Sequence, residues 1–255
     1  MDNSLHEHYI QLLKEELVSA TGCTEPIAIA YGAAKAKETL GKIPDKVIVE
    51  VSENIVKNAK SVIVPNTNQL KGIKSAVAAG IIAGNSIKHL DVISEVSLDH
   101  KETIKTYAAN ANIILKTVHS ELPFDLQISV FYEKESAKVR IAHHHTNIVL
   151  IEKNGEVIFR KPYTLESDDS KFKTLSIKSI VDFADTVKLD PLIPLLETQI
   201  SNNMTIALEG LKETYGANIG KVLMNHYGND IKNKAKALAA AASDARMSGA
   251  TFPVT

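Results

Sequence analysis

The chain of 255 residues holds a single cysteine and no tryptophan, and aromatic residues make up only 5% of it. One cysteine excludes an internal disulfide. Scarce aromatics and a net charge of −1 leave neither a base-stacking surface nor an electrostatic footprint for nucleic acid or an anionic membrane. No apolar run approaches the roughly 18 residues of a membrane span. The first residues, Met1 to His8, are polar, unlike a targeting sequence. A cytoplasmic, soluble protein with no nucleic-acid or membrane partner is therefore expected. No dinucleotide-type glycine fingerprint occurs, and no lysine context singles out a pyridoxal phosphate Schiff base. Residues Gly216 to Lys221 fall short of a phosphate loop, lacking both the full spacing and a Ser or Thr after the lysine.

Alanine, isoleucine and valine are abundant instead, which suits packed helices and buried strands. The lone cysteine sits in Thr21-Gly22-Cys23-Thr24-Glu25-Pro26, between two helical patterns. Leu5, Tyr9, Leu12, Leu13 and Leu17 share one helical face over Ser4 to Ala20. Pro26 suits the first turn of a second helix running to Leu40, with Thr24 or Glu25 as its cap and Gly41 as its stop. Cys23 then lies just outside the positive end of that helix, where a thiol pKa is lowered. The opposing reading is a small buried apolar side chain.

Val47, Val49 and Val51 alternate as a half-buried strand, followed by a polar turn over Ser52 to Asn58. A helix is predicted over Leu70 to Gly84, a short strand over Val92 to Val96, and another helix over Asp99 to Lys116. Leu126, Ile128, Val130 and Tyr132, then Val139 and Ile141, then Ile148 and Leu150 alternate, and Asn154-Gly155 marks a hairpin. An antiparallel meander over 125–160 follows. Tyr163 to Lys173 reads as a linker, and everything beyond it as helix, with Ile177, Ile180, Val181 and Ala184 on one face. The fold class is thus α+β. Its expected organisation is a discontinuous helical domain, 1–44 plus 174–255, into which an α+β domain with an antiparallel sheet, 45–165, is inserted.

Several polar residues are candidates for binding. Asn54, Asn58, Asn66 and Thr67 fall at turns or strand ends, where they either bind a small polar ligand or serve ordinary turn chemistry. Asp244 and Arg246 on the last helix either take a carboxylate or form an ion pair. His143-His144-His145 invites a metal, yet successive strand residues face opposite ways, and no nearby Cys or Asp completes a ligand set.

Together, Gly22-Cys23-Thr24-Glu25-Pro26, Asn54-Ile55-Val56-Lys57-Asn58 with the downstream Pro65, the His145-Thr146 strand and Ser243-Asp244-Ala245-Arg246-Met247 resemble the L-cysteine desulfidase family. That family is related to the α domain of iron–sulfur serine dehydratases, and the resemblance spans nearly the whole chain. It implies cleavage of L-cysteine to pyruvate, ammonia and sulfide with a 4Fe-4S cluster and no pyridoxal phosphate. It also implies Cys23 as the base that removes the α-proton, with Thr24, Glu25, Asn54, Asn58, Asn66, Thr67 and Arg246 around a small amino-acid substrate. The family's cluster ligands are cysteines of its C-terminal part, and a cubane needs several thiolates. The resemblance therefore implies an N-terminal portion of such an enzyme, by truncation, gene splitting or decay, without lyase activity alone. Its implied partners are the missing C-terminal half or further copies of itself. Two alternatives stand beside this: a noncatalytic remnant or subunit that keeps the fold, and an enzyme using Cys23 as a nucleophile with a histidine.

Overall fold

Alternating valines, an alanine-rich helix and a hairpin turn organise the first two-thirds of the chain. The computed structural model describes residues 3–122, 124–162, 172–227 and 230–255. In chain order the elements begin α1 (Asn3–Glu16), β1 (Ala20–Thr21), α2 (Thr24–Leu40), β2 (Lys46–Ser52), α3 (Glu53–Ala59), α4 (Gly72–Ala83) and α5 (Leu98–Asn110). The strands β3 (Asn112–Val118), β4 (Asp125–Tyr132), β5 (Glu135–Ala142), β6 (Ile148–Lys153) and β7 (Glu156–Arg160) follow. The chain closes with α6 (Ile177–Thr186), α7 (Ile193–Lys212), α8 (Ile219–Tyr227), α9 (Ile231–Met247) and β8 (Pro253–Val254). The expected linker falls mostly on 163–171, outside the described residues.

A six-stranded sheet runs in the order β3-β2-β4-β5-β6-β7. Val47, Val49 and Val51 stand opposite Val130, Ile128 and Leu126, and Val139 and Ile141 continue the same rows on β5. All of them are buried. One-residue slippage would turn the whole set to solvent, so burial specifies the register. Asn154 and Gly155 both adopt positive φ at the β6–β7 turn, as that dipeptide predicts. The sheet is mixed rather than purely antiparallel, because β3 runs parallel to β2. The α+β class stands.

The expected helix over Asp99 to Lys116 ends at Asn110 and gives way to β3. The β-branched run Ile113, Ile114, Thr117 and Val118 finds an open edge of β2, and ladder pairing outweighs the helical spacing of Ala111 and Leu115. Within the expected turn over Ser52 to Asn58, Ser52 ends β2 and caps the helix α3, which begins at Glu53, since Ile55 and Ala59 share a face buried in the core. The expected strand over Val92 to Val96 is not formed: Val92 to Glu95 are turns and Val96 has no regular structure. Val92 and Ile93 are buried as anchors of an irregular segment.

Both N-terminal helices were expected against the helices after residue 174. α1 does pack there, through Tyr9 and Leu12 against Phe183 and Leu192. α2 instead lies between the sheet and α4, inside the main core. A side chain at Gly32 would touch Ile128, Ile141 and Leu126 of the sheet. On the opposite side, a Cβ at Gly80 of α4 would come within 2.1 Å of the Ala30 carbonyl oxygen. The alanines of α2 thus serve backbone-close contact on both sides, and a helix buried all round needs no polar face.

The C-terminal helices use the same device. α7 and α8 both close on Ala241 of α9, where Gly210 and Gly220 leave no room for a Cβ. Their apolar faces are another matter. Ile177, Ile180 and Val181 do share a face of α6, but it points to solvent while Phe183 alone is buried.

Candidate active site

Cys23 is held by the chain on both sides of it. β1 pairs antiparallel with β8, Ala20 opposite Val254 and Thr21 opposite Pro253, which ties the cysteine loop to the end of α9. Gly22 turns with φ of 81°, and Pro65 packs where its side chain would be, so the loop after Val64 forms the floor. That loop carries positive φ at Asn66, Asn68 and Gln69, a strained stretch for non-glycine residues. Its far side is fastened to α9 by a hydrogen bond from the Ile63 amide to the Met247 carbonyl.

α2 begins at Thr24, so Cys23 is itself the N-cap residue, where Thr24 or Glu25 was expected. Both of these lie in the first turn, beside Pro26. The Cys23 thiol donates to Glu25 Oε2 at 3.7 Å and lies 3.7 Å from the Met247 Sδ. The Thr24 hydroxyl donates to the same carboxylate oxygen at 3.2 Å, while Asn58 Nδ2 donates to Glu25 Oε1 at 3.0 Å. One carboxylate therefore gathers three donors from two helices. Asn54 sits one turn before Asn58, at the start of α3.

The expected lowering of the thiol pKa is overturned. Burial and the Glu25 carboxylate push Cys23 up to about 11, against a partial opposing pull from the Arg246 guanidinium. Desolvation of the thiolate and a carboxylate within reach outweigh the partial charge of a helix end.

Arg246 and Thr24 line a cavity of about 290 Å³, together with Ser243, Asn203, Ala20 and Val254. Its Nε is buried and has no hydrogen-bond partner. The neighbouring Asp244 is committed elsewhere: it accepts from the Gly220 amide at 2.9 Å and so caps the start of α8. A half-buried guanidinium with an unmet N–H beside a cavity is a ready carboxylate receptor.

Asn66 and Thr67 do not join this cluster. Asn66 Nδ2 donates to the Ile93 carbonyl, and the buried Thr67 hydroxyl donates to the Val64 carbonyl at 2.7 Å. They hold the floor loop in shape, which is the turn chemistry that their residue types favour. His145 lies in the turn between β5 and β6, not on a strand, with its ring 4.6 Å from that of Phe124. Burial lowers its pKa, opposed by the Glu25 carboxylate. Sequence reading did not place His145 or Met247 in the site. Both arrive through tertiary packing, and only their place within the quoted motifs hinted at it. Among the described residues, no group of three or more His, Cys, Asp or Glu side chains is placed to hold a metal ion.

The chain is similar to proteins named UPF0597. One from Desulfitobacterium hafniense is 54% identical over 252 residues, which is 98% of this chain and 58% of the relative. One from Treponema denticola is 43% identical over 262 residues, covering 100% of this chain and 61% of the relative. A third, from Lachnoclostridium phytofermentans, is 44% identical, with 98% and 60% covered. The chain thus spans about three-fifths of the length of the curated relatives it matches. No family profile and no solved structure matches it. No helix among the described residues is long and apolar enough to cross a membrane.

Proposed function

We propose that this chain carries the substrate-binding and proton-abstracting part of an amino-acid lyase site of the L-cysteine desulfidase type. The observation that carries the reading is that Cys23 and Thr24 share the Glu25 carboxylate while Thr24 lines one cavity with Arg246, whose Nε is unmet. Arg246 takes the carboxylate of a small amino acid. Glu25, oriented by Asn58 and Thr24, holds the thiol in place by accepting its hydrogen bond, and the thiol proton is released to solvent. The resulting thiolate removes the α-proton: the C–H bond breaks, an S–H bond forms, and the electron pair spreads onto the carboxylate held by Arg246. A thiol with a pKa near 11 is a strong base once deprotonated, which an α-proton next to a carboxylate demands.

The residues present do not fit a 4Fe-4S cluster. A cubane needs several thiolates, and this chain has one cysteine, which is engaged with Glu25. The chain alone is therefore expected to bind substrate without releasing sulfide. Calorimetric titration with L-cysteine and L-serine tests the reading. Binding should weaken at least tenfold in Arg246→Met and persist in Cys23→Ser. Absence of binding to either amino acid would overturn it. A nucleophilic role for Cys23 is less supported, because the thiol is hydrogen-bonded to a carboxylate rather than an imidazole.

A further inference from the structure

Helices α6, α7 and α8 each turn an apolar stripe outward. On α7, Ile193, Ile200, Met204 and Leu208 recur at i, i+7, i+11 and i+15, one side of the helix, and all are exposed. On α6 the stripe is Ile177, Ile180 and Val181, and on α8 it is Ile219 and Val222. Of the long helix α7, only Ile206, Ala207 and Gly210 are buried. Most of the exposed large hydrophobic side chains among the described residues lie after residue 174. The sheet and α2, by contrast, bury their apolar residues in one continuous core. Soluble monomers rarely leave such stripes open, and helical periodicity this regular marks a face built for a partner.

The relatives supply the length argument. The matched region makes up 58–61% of their chains, so about two-fifths of each relative's length lies outside the match. We infer that the outward faces of α6, α7 and α8 are the docking surface for that additional polypeptide. The occupant is the unmatched part of a UPF0597 protein, seated on Ile180, Ile200, Met204 and Leu208. α7 also lends Asn203 to the cavity beside Arg246, so a segment docked on this helix would border the candidate site. The inference does not depend on the lyase reading, since it rests on exposure and length alone.

The test is co-expression of this chain with the unmatched part of the Desulfitobacterium hafniense relative, made as a separate polypeptide. A 1:1 complex is expected, and Ile200→Glu with Leu208→Glu should reduce its recovery at least tenfold. Ile87→Glu, at an exposed site outside these helices, should leave it intact. Each variant's circular dichroism and thermal midpoint check that folding is unchanged. A second measurement covers failure of the separated segment to fold. Hydrogen exchange is compared between the intact relative and the same protein cut back to its matched 252 residues. Protection lost on cutting should map to the segments matching 177–227. Protection lost only elsewhere, or a complex insensitive to the double variant, would overturn the inference. So would a homodimer of this chain that the double variant dissolves, because the face would then belong to a second copy.

Discussion

The Cys23 thiol donates to Glu25 Oε2 from two residues away, across the first turn of the helix it caps. Burial of the thiol, and after it this contact, reverse the electrostatics that a cysteine at a helix start ordinarily enjoys. The helix end contributes a fraction of a charge, whereas Glu25 contributes a full one at hydrogen-bond range in a buried setting.

The first prediction concerns thiol reactivity. With a pKa near 11, Cys23 should react with iodoacetamide at pH 8 about a hundredfold more slowly than an unperturbed thiol. Glu25→Gln removes the carboxylate and should speed labelling severalfold. Arg246→Met removes the opposing cation and should slow it. Mass spectrometry of the labelled chain across pH 7–11 reads all three, and rapid labelling of the unaltered chain at pH 8 would refute the assignment.

The same shift makes a stability prediction. The folded-state pKa of Cys23 lies above its ordinary value of 9.0, so the folded chain holds the proton more tightly. The stabilisation is full below pH 9 and is lost as pH rises from 9 through 11. Two pH units correspond to about 2–3 kcal/mol. Urea midpoints should therefore fall more steeply over this range for the unaltered chain than for Cys23→Ser.

His145 runs in the opposite direction. Burial lowers its pKa, so the unfolded chain takes up the proton first as pH falls. Its contribution is present above about pH 6.5, the ordinary histidine value, and is lost as pH drops through the folded-state pKa. An imidazole resonance titrating below the ordinary histidine value should be seen by NMR. It should vanish in His145→Asn, which should also lose less stability between pH 6.5 and 5.

Gly80→Ala should be among the most damaging small substitutions. The added carbon would sit 2.1 Å from the Ala30 carbonyl oxygen, so α4 must move off α2 and open the core. A cost of about 3 kcal/mol or more in denaturant unfolding is expected. Gly155→Ala, with nothing near its side chain, should cost only about 1 kcal/mol from its positive φ.

Much of this was legible in residue order. The valine alternation of β2, the meander from β4 to β7, the Asn154-Gly155 turn, the start of α2 near Pro26 and its stop at Gly41 follow from local periodicity and turn chemistry. So did Cys23 at a helix end. β3 was not legible, because a strand that completes a sheet edge draws on a partner more than sixty residues earlier in the chain. Nor was the division of labour among Asn54, Asn58, Asn66 and Thr67. Asn58 has its side chain placed on Glu25, whereas Asn66 and Thr67 brace the loop beneath.

By itself the sequence determined which segments are helices or strands wherever the hydrophobic period and the turn residues agree, since those depend on neighbours a few residues apart. Tertiary structure decided where those segments go. It placed α2 on the sheet, brought Arg246 and Met247 to Cys23 through the β1–β8 pairing, and turned the stripes of α6 and α7 outward. It also set the thiol's pKa, because desolvation and charge depend on what surrounds an atom in space, and a sequence records only what precedes and follows it.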